Sequence, residues 1–294
     1  MRSRNVIFLY IARRRSSKIM KNQLKAIICA LACFGFGAQY AAATPILATG
    51  AVNQLNFTLV QNVQDTDHSG TVSAGDLIYG IFNVSRIASG GGTLWNANNV
   101  SGPGVDSLSG YYVAAVNSVT ALPAPWAAAV SMRAATIDPN GIFSAADLAS
   151  HTVVKLFTDK VTPFDSSGSV ASGIASATDG KLWAALGLDS GYWDVLLFRN
   201  GAISAGGGLN FTDNQTGMGF SKQLNPSCLS CSPADFLFTT IATDNGPGGA
   251  WRFSGGNNGS LSTVPEPPVS LLMMVGLLAL AASKCGVRFS RRRK

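Results

Sequence analysis

The stretch Trp193-Asp194-Val195-Leu196-Leu197-Phe198-Arg199-Asn200-Gly201-Ala202-Ile203 decides the fold class. Apolar residues recur on both sides of Asn200-Gly201, and Asn-Gly is a preferred residue pair in tight turns between antiparallel strands. The stretch therefore predicts a β-hairpin with a two-residue turn at Asn200-Gly201.

Similar apolar runs recur through residues 44–254 and are separated by turn signals rich in Gly, Asn, Asp and Pro. The runs are residues 55–60, 77–84, 111–119, 182–186, 192–198 and 236–241. The turn signals are residues 90–92, 138–141, 199–201, 206–208 and 244–249. This spacing predicts a mainly β exported domain, a sandwich or a jelly roll, with few short helices.

Two segments predict structure other than strands, one a helix and one a flexible linker. Ser144 and Asp147 form a near capping box ahead of residues 148–157, which predicts a helix there. Residues 255–263 contain Gly256-Asn257-Asn258-Gly259, a composition typical of a flexible linker.

The segment 65–76 matches the twelve-residue calcium-loop pattern. Oxygen-bearing groups at the ligand positions are Asp65, Asp67, Ser69, the Thr71 carbonyl, Ser73 and Asp76. Asp replaces the usual Glu at the twelfth position, which predicts modest affinity for calcium, the one cofactor that the sequence suggests. The alternative is a turn in which the same carboxylates accept hydrogen bonds from backbone amides without a metal.

The N-terminal 43 residues have the composition of an export signal. A basic segment at 20–25 precedes an apolar segment at 26–37, and Ala41-Ala42-Ala43 supplies the small residues that a signal peptidase reads. We expect an N-terminal signal helix, cleavage after Ala43 with Ala41 and Ala43 as recognition residues, and an upstream extension in residues 1–19.

The C-terminus has the composition of a second targeting segment. Val264-Pro265-Glu266-Pro267-Pro268 precedes an uncharged apolar segment at 269–283, and five basic residues lie in the last seven positions. Lys284 can extend its charged end to the lipid surface, so the segment is nearly long enough to be a transmembrane helix. The basic tail would stay in the cytoplasm while everything before the helix is exported. Glu266 is the only glutamate in the chain.

This order of motif, helix and basic tail resembles the PEP-CTERM sorting signal of Gram-negative bacteria over residues 264–294. The resemblance implies recognition of Val264, Pro265, Glu266 and Pro267 by an exosortase, a membrane-embedded cysteine transpeptidase. It further implies transient anchoring in the inner membrane, removal of the helix, and release or attachment at the cell surface. An ordinary C-terminal anchor after a Pro-rich segment is the alternative.

The two ends also hold most of the positive charge. The whole chain has a formal charge of +7, but residues 44–263 contain eight Lys or Arg against fourteen Asp, a net charge of −6. A basic surface for nucleic acid is therefore not expected on the exported part. Cys228 and Cys231 are its only cysteines, and an oxidising compartment favours a local disulfide between them.

No catalytic motif is present: the chain lacks a Gly-x-Ser-x-Gly elbow, a His-Glu-x-x-His pair and a phosphate-binding loop. The absence of such motifs favours a non-enzymatic exported surface or matrix protein, and the N-terminal segment makes signal peptidase one of its partners. The resemblance implies exosortase as a second partner and a role near exopolysaccharide, in biofilm or floc formation. A secreted carbohydrate-active enzyme or carbohydrate-binding module with the same tail is the alternative. The five Trp could stack on sugars or pack in the core.

Overall fold

The strands follow the alternating apolar runs of the sequence. The computed structural model describes residues 45–98, 106–223 and 232–265. Within them the strands are β1 (Val52–Gln64), β2 (Leu77–Ser89), β3 (Gly92–Asn96), β4 (Ser107–Ala121), β5 (Trp126–Ala134), β6 (Thr152–Asp159), β7 (Lys181–Phe198), β8 (Ile203–Asn214), β9 (Phe220–Ser221), β10 (Phe236–Asp244) and β11 (Phe253–Thr263). The helices are α1 (Ala145–Ala149) and α2 (Val170–Thr178). All six apolar runs predicted as strands lie within strands.

The sheet closes on itself to form an antiparallel barrel. Hydrogen-bonded neighbours run in the order β2, β1, β11, β10, β8 and β7. Strands β5 and β6 share the next position, because each pairs with a different half of β7 and of β4. Strand β4 then pairs with β2, which completes a ring of eight positions. The short strands β3 and β9 pair with β2 and β11 outside the ring.

The prediction of a mainly β fold is confirmed, and the prediction of a sandwich or jelly roll is wrong. A sandwich packs two separate sheets face to face, whereas one continuous sheet here pairs with itself through β2 and β4. Every pairing of the ring lies between Val52 and Thr263. The barrel therefore closes entirely within residues 45–265.

Side chains that alternate inward along each strand fill the barrel. A chain of aromatic contacts crosses the interior, with ring centroids 5.3–6.4 Å apart. Its members are Phe57, Phe82, Tyr112, Trp193, Phe238 and Phe236. Each such contact typically adds about 0.5–1.5 kcal/mol to what the buried area contributes.

Glycines in the strands make room for these rings. A Cβ atom at Gly207 would overlap the ring of Phe238, and one at Gly259 would overlap the ring of Phe236. Glycine is otherwise unfavourable inside a strand, so its presence here reflects the close approach of an aromatic ring from the neighbouring strand.

This packing corrects two predictions. Residues 206–208, predicted as a turn, lie within β8, and residues 255–263, predicted as a flexible linker, lie within β11. Strand β11 pairs with both β1 and β10, so it is a central member of the ring. Gly207 and Gly259, two of the glycines that indicated flexibility in the sequence, instead lie against aromatic rings, and the β domain extends beyond residue 254 to Thr263.

The hairpin around Asn200 is confirmed, with a turn of three residues instead of two. The Phe198 amide donates to the Ala202 carbonyl (2.9 Å), and the Gly201 amide donates to the Phe198 carbonyl (3.1 Å). Gly201 has φ +81°, the left-handed conformation that closes a three-residue hairpin loop.

Helix α1 confirms only the start of the predicted helix. The capping box is formed, because Ser144 accepts from the Asp147 amide while the Asp147 side chain accepts from the Ser144 amide. The helix ends at Ala149, and residues predicted to continue it form β6, whose Val153 and Val154 are buried. Pairing with β4 and β7 and the strand preference of β-branched residues outweigh the local helix signal.

Helix α2 covers part of the outer face of the barrel. Its Ile174 and Ala177 pack with Ile81 and Tyr111 in a second hydrophobic cluster outside the ring. Ser109 of β4 donates to the Ala177 carbonyl (3.0 Å), which ties the helix to the sheet. The part of the sheet under α2 is therefore covered on both faces. This explains why the burial along β2 and β4 is nearly continuous instead of alternating.

Candidate functional site

The acidic loop, residues 65–76, connects β1 to β2 at one end of the barrel. Strands flank the loop on both sides, as the sequence predicts, instead of the helices of an EF-hand. Val72 from the loop packs against the core inside the barrel. The loop is therefore part of the closure of that end of the barrel as well as a candidate metal site.

The loop brings its three carboxylates together. One oxygen from each of Asp65, Asp67 and Asp76 lies within 4.8 Å of the others. The Ser73 hydroxyl donates to Asp67 Oδ2 (2.8 Å) and lies 3.3 Å from Asp76 Oδ2, and the Ser69 hydroxyl donates to the Thr71 carbonyl (2.9 Å). All six predicted ligand groups thus belong to one connected cluster.

Backbone amides hold these carboxylates in place. Asp65 accepts from the amides of Ser69 (3.1 Å) and Gly70 (2.7 Å). Asp76, which is fully buried, accepts from the amides of Thr66 (2.8 Å) and Ser73 (2.7 Å). Gly70, the sixth position of the pattern, has φ +74°, as the sharp turn of a calcium loop requires.

Hydrogen bonding also makes Asp67 a stronger acid than usual. The hydroxyls of Ser73 and Ser69, and then the Ser69 amide, lower the pKa of Asp67 from 3.8 to about 2. Because the folded pKa is lowered, the contribution of Asp67 to stability, which is small because its exposed charge is screened by solvent, is present above pH 3.8 and is lost as the pH falls through about 2. Asp67 therefore remains a charged, solvent-exposed carboxylate at any physiological pH.

The donor set fits a hard divalent cation. Carboxylate, hydroxyl and carbonyl oxygens are the ligands that calcium prefers, in sets of six to eight. A carboxylate has about four lone-pair positions, so Asp65 and Asp76 can bind a cation while keeping their amide hydrogen bonds. The same contacts also satisfy the turn without a metal, so both predicted alternatives fit the geometry.

The segment predicted as a sorting motif begins where the barrel ends. Val264 directly follows β11, and its amide donates to the Gly219 carbonyl (3.0 Å). Pro265 lies against Gly50, whose added Cβ would be 3.1 Å from the Pro265 ring. Glu266 and Pro267 lie outside the described residues, so only the first half of the predicted recognition motif has a described position.

Several other predicted features lie outside the described residues. They are the signal segment with Ala41 and Ala43, the cysteines Cys228 and Cys231, and the apolar segment 269–283. In the parts of the chain that the structure covers, no helix is both long and apolar enough to cross a membrane.

The tryptophans divide between the core and the surface. Trp95, Trp183, Trp193 and Trp251 are buried, and only Trp126, at the start of β5, is exposed, by 37%. Four of the five tryptophans therefore pack in the core, which was one of the two alternatives that the sequence left open. A sugar-stacking platform built from several tryptophans is not formed on the described surface.

Outside the acidic loop, the carboxyl groups of Asp159 and Asp179 also lie close together. Burial, and then repulsion by Asp159, raises the pKa of Asp179. The two side chains are near enough to share a hydrogen bond. Glycosidases hold their carboxyls about 5 Å apart or farther, with room for the substrate between them. This pair therefore does not fit the geometry of glycoside hydrolysis.

Sequence reasoning missed the polar groups inside the barrel. Asn257 and Trp193 point inward and are only 8% exposed, and the Thr240 hydroxyl beside them is buried. Asn257 lies in the segment that the sequence analysis predicted as a linker, so it was not expected inside the barrel. The alternation of inward residues 253, 255, 257, 259 and 261 was the available signal, because every second residue there is apolar, glycine or Asn257.

Fold and site together define an antiparallel barrel with an acidic, oxygen-rich loop at one end. No protein-family model matches the chain, and no curated protein matches it. One solved structure is similar, described as a nonspecific heme-binding cyclase that catalyses [4 + 2] cycloaddition during neoabyssomicin biosynthesis. It is 8% identical, the match covers 82% of this chain and 78% of that chain, and the TM-score is 0.21. A likeness at that level supports no conclusion about fold or function.

Proposed function

We propose that the barrel is the exported cargo of an exosortase-type sorting pathway and acts at the cell surface or in the extracellular matrix without catalysis of its own. The observation that carries this proposal is the junction at Thr263. The last barrel strand ends there, and the Pro-rich motif starts at Val264. A complete folded domain followed at once by a processing motif, an apolar segment and a basic tail is the arrangement expected of a sorted cargo protein.

The net charge supports the same function. The exported part has a net charge of −6, and the basic residues are concentrated at the two ends that processing would remove. An acidic exported body suits a matrix of exopolysaccharide and divalent cations more than nucleic acid. Exopolysaccharide is therefore the partner that we propose for the released barrel. A carbohydrate-binding module remains the second candidate, with exposed Trp126 as the residue to test.

Glu266→Ala is the variant that tests sorting. Because Glu266 is the only glutamate and lies at the centre of the motif, we expect the variant to accumulate as an uncleaved form in the inner membrane of cells that contain an exosortase. Immunoblotting of membrane and secreted fractions measures this. Pro268→Ala, just outside the proposed motif, is the matched control and should be processed normally. Normal release of the Glu266 variant would contradict the proposal.

We also propose that the acidic loop binds calcium. Calorimetry with residues 45–265 and with the full chain in detergent should show one calcium site per chain with a dissociation constant in the range of extracellular modules, about 10⁻⁴–10⁻³ M. Calcium at ten times that concentration should raise the melting temperature, because a ligand that binds only the folded state stabilises it. If millimolar calcium produces no heat of binding and no change in melting temperature, the loop binds no calcium and is only a metal-free turn.

A further inference from the structure

The chain enters and leaves the barrel at the same end. Strand β1 starts at Val52, whose partner on β11 is Ser262, one residue before that strand ends. The Thr263 hydroxyl donates to the Ala48 carbonyl (2.6 Å), and the Thr263 amide donates to the Ala51 carbonyl (3.0 Å). The segment before the first strand is therefore joined to the end of the last strand.

Two further segments complete this end of the barrel. The turn between β2 and β3 lies beside the start of β1, because Ser89 pairs with Asn53. The segment after β8 lies beside Val264, whose amide donates to the Gly219 carbonyl (3.0 Å). We call the four segments together the tether end: residues 45–53, 87–92, 214–221 and 260–265. None of these residues carries a charge.

Three large aliphatic side chains are exposed at the tether end. Ile46 is 55% exposed, Val52 is 49% exposed and Val264 is 42% exposed. Thr263 precedes Val264 directly, and it is hydrogen-bonded to the segment between Ile46 and Val52. Single exposed apolar side chains are normal on a protein surface, but three around one set of hydrogen bonds in an uncharged region indicate an interaction surface.

The length of the chain beyond Pro265 indicates which partner covers this surface. The apolar segment predicted to span the membrane begins at Val269, four residues after Pro265. Four residues span at most about 14 Å even when fully extended. The predicted signal segment leaves the barrel at the same end, before Pro45, until it is cleaved. The tether end is therefore the part of the barrel that is held closest to the lipid.

The distribution of charge fits the same orientation. Strand β1 has 13 residues and runs from the tether end to the acidic loop. At about 3.3 Å per residue, some 40 Å of strand separate the two. Charges in water are largely screened beyond about 8 Å at physiological ionic strength, so anionic lipid headgroups at the tether end would not repel the carboxylates of the loop. With the acidic loop facing the lipid, they would.

We propose that the tether end rests on the periplasmic surface of the inner membrane while the chain is anchored, with Ile46, Val52 and Val264 inserted into the lipid interface. Aliphatic side chains gain free energy on leaving water, and an uncharged surface loses little when its water is displaced. The acidic loop then points away from the lipid. This inference rests on the anchored stage of the proposed function, but not on recognition by an exosortase.

Photo-crosslinking of the full chain tests the orientation. The chain is reconstituted into vesicles of phosphatidylethanolamine and phosphatidylglycerol, and Val52→p-benzoylphenylalanine places a photoreactive group at the tether end. We expect irradiation to produce a lipid adduct, which mass spectrometry detects. The matched control carries the same substitution at Ile241, which is 66% exposed but lies within β10, opposite Gly256. It should give no adduct. Adducts at both positions, or at neither, would contradict the proposal.

Vesicle flotation with residues 45–265, which contain every pairing of the ring, tests the surface without the membrane segment. We expect saturable binding to the same vesicles. Val52→Asp should lower the apparent affinity about tenfold, because an aspartate loses the apolar contact and resists transfer out of water. Ile46→Asp, at a residue outside every strand, should do the same even if Val52→Asp does not fold. Ile241→Asp should leave the affinity unchanged.

Two further results would overturn the proposal. One is no binding of residues 45–265 to the vesicles. The other is a dimer in sedimentation velocity that Val52→Asp abolishes, because a second copy of the chain would then occupy the tether end.

Failure of the proposed function has a different signature. If the full chain does not stay with the vesicles after an alkaline wash, the anchored stage is wrong, and the flotation of residues 45–265 still decides whether the tether end binds lipid. If position 52 gives a lipid adduct but an exosortase does not cleave the chain, sorting is wrong and the membrane-facing surface stands.

Discussion

Gly259→Val is expected to prevent the barrel from closing. A Cβ atom at Gly259 would overlap the ring of Phe236 on β10, and Phe57 of β1 lies 3.3 Å away on the other side. Neither ring can move freely, because both belong to the chain of aromatic contacts in the interior. Overpacking of this kind costs about 1–3 kcal/mol for a few methyl groups and more where backbone must shift, so we expect a loss of at least about 3 kcal/mol.

The measurement is urea unfolding of residues 45–265 followed by tryptophan fluorescence. Gly256→Val is the matched control in the same strand, since a Cβ there would come no nearer than 4.0 Å to any other atom, the Phe57 carbonyl oxygen. Gly256 is exposed, and valine favours extended backbone, so the control should change the unfolding free energy by less than about 1 kcal/mol. Equal tolerance of both variants would mean that residues 255–263 form the linker predicted from the sequence instead of a barrel strand.

The sequence predicts which residues form strands far better than it predicts which strands pair. Alternation along residues 55–60 or 192–198 shows that one face is buried, but it is the same in a sandwich and in a barrel. Closure depends on the pairing of β2 with β4, for example Leu77 opposite Ala115. No local sequence pattern specifies that contact. The predicted architecture was therefore wrong, although the predicted strands were right.

Strand β11 was missed for a different reason. Its glycines lower its intrinsic strand preference, and Asn257 places a polar group on the inward face. The strand forms because Phe236 and Phe57 fill the space over Gly259, and because β1 and β10 pair with it on both sides. These stabilising contacts come from other strands and are absent from the local sequence.

The acidic loop shows the opposite case. Its ligand positions follow one another within twelve residues, so the sequence was sufficient to bring Asp65, Asp67 and Asp76 together. What the sequence did not show is the unequal burial of these residues: Asp67 is exposed, whereas Asp76 is fully buried. Variants of the two residues can therefore distinguish a structural role of the loop from a metal-binding role. Removing the buried carboxylate of Asp76 should weaken the fold, whereas removing the exposed carboxylate of Asp67 should affect mainly metal binding.

Asp76→Asn is expected to destabilise the barrel even without calcium. One Asp76 oxygen accepts from the Thr66 amide and hydroxyl, and the other accepts from the Ser73 amide. An asparagine can replace only one of these oxygens, and its NH₂ group would face a backbone N–H donor. Leaving buried donors unpaired should cost about 2–4 kcal/mol, on the order of 10 °C in melting temperature for a domain of this size.

Asp67→Asn is the control that distinguishes the two roles of the loop. Its carboxylate is exposed and hydrogen-bonded mainly to Ser69 and Ser73, so in calcium-free buffer the melting temperature should change little. If the loop binds calcium, both variants should lose the calcium-dependent rise in melting temperature, because each removes one of the three carboxylates. A calcium response retained in Asp67→Asn would exclude this cluster as the site. An unchanged melting temperature in calcium-free Asp76→Asn would show that its buried hydrogen bonds do not hold the barrel end together.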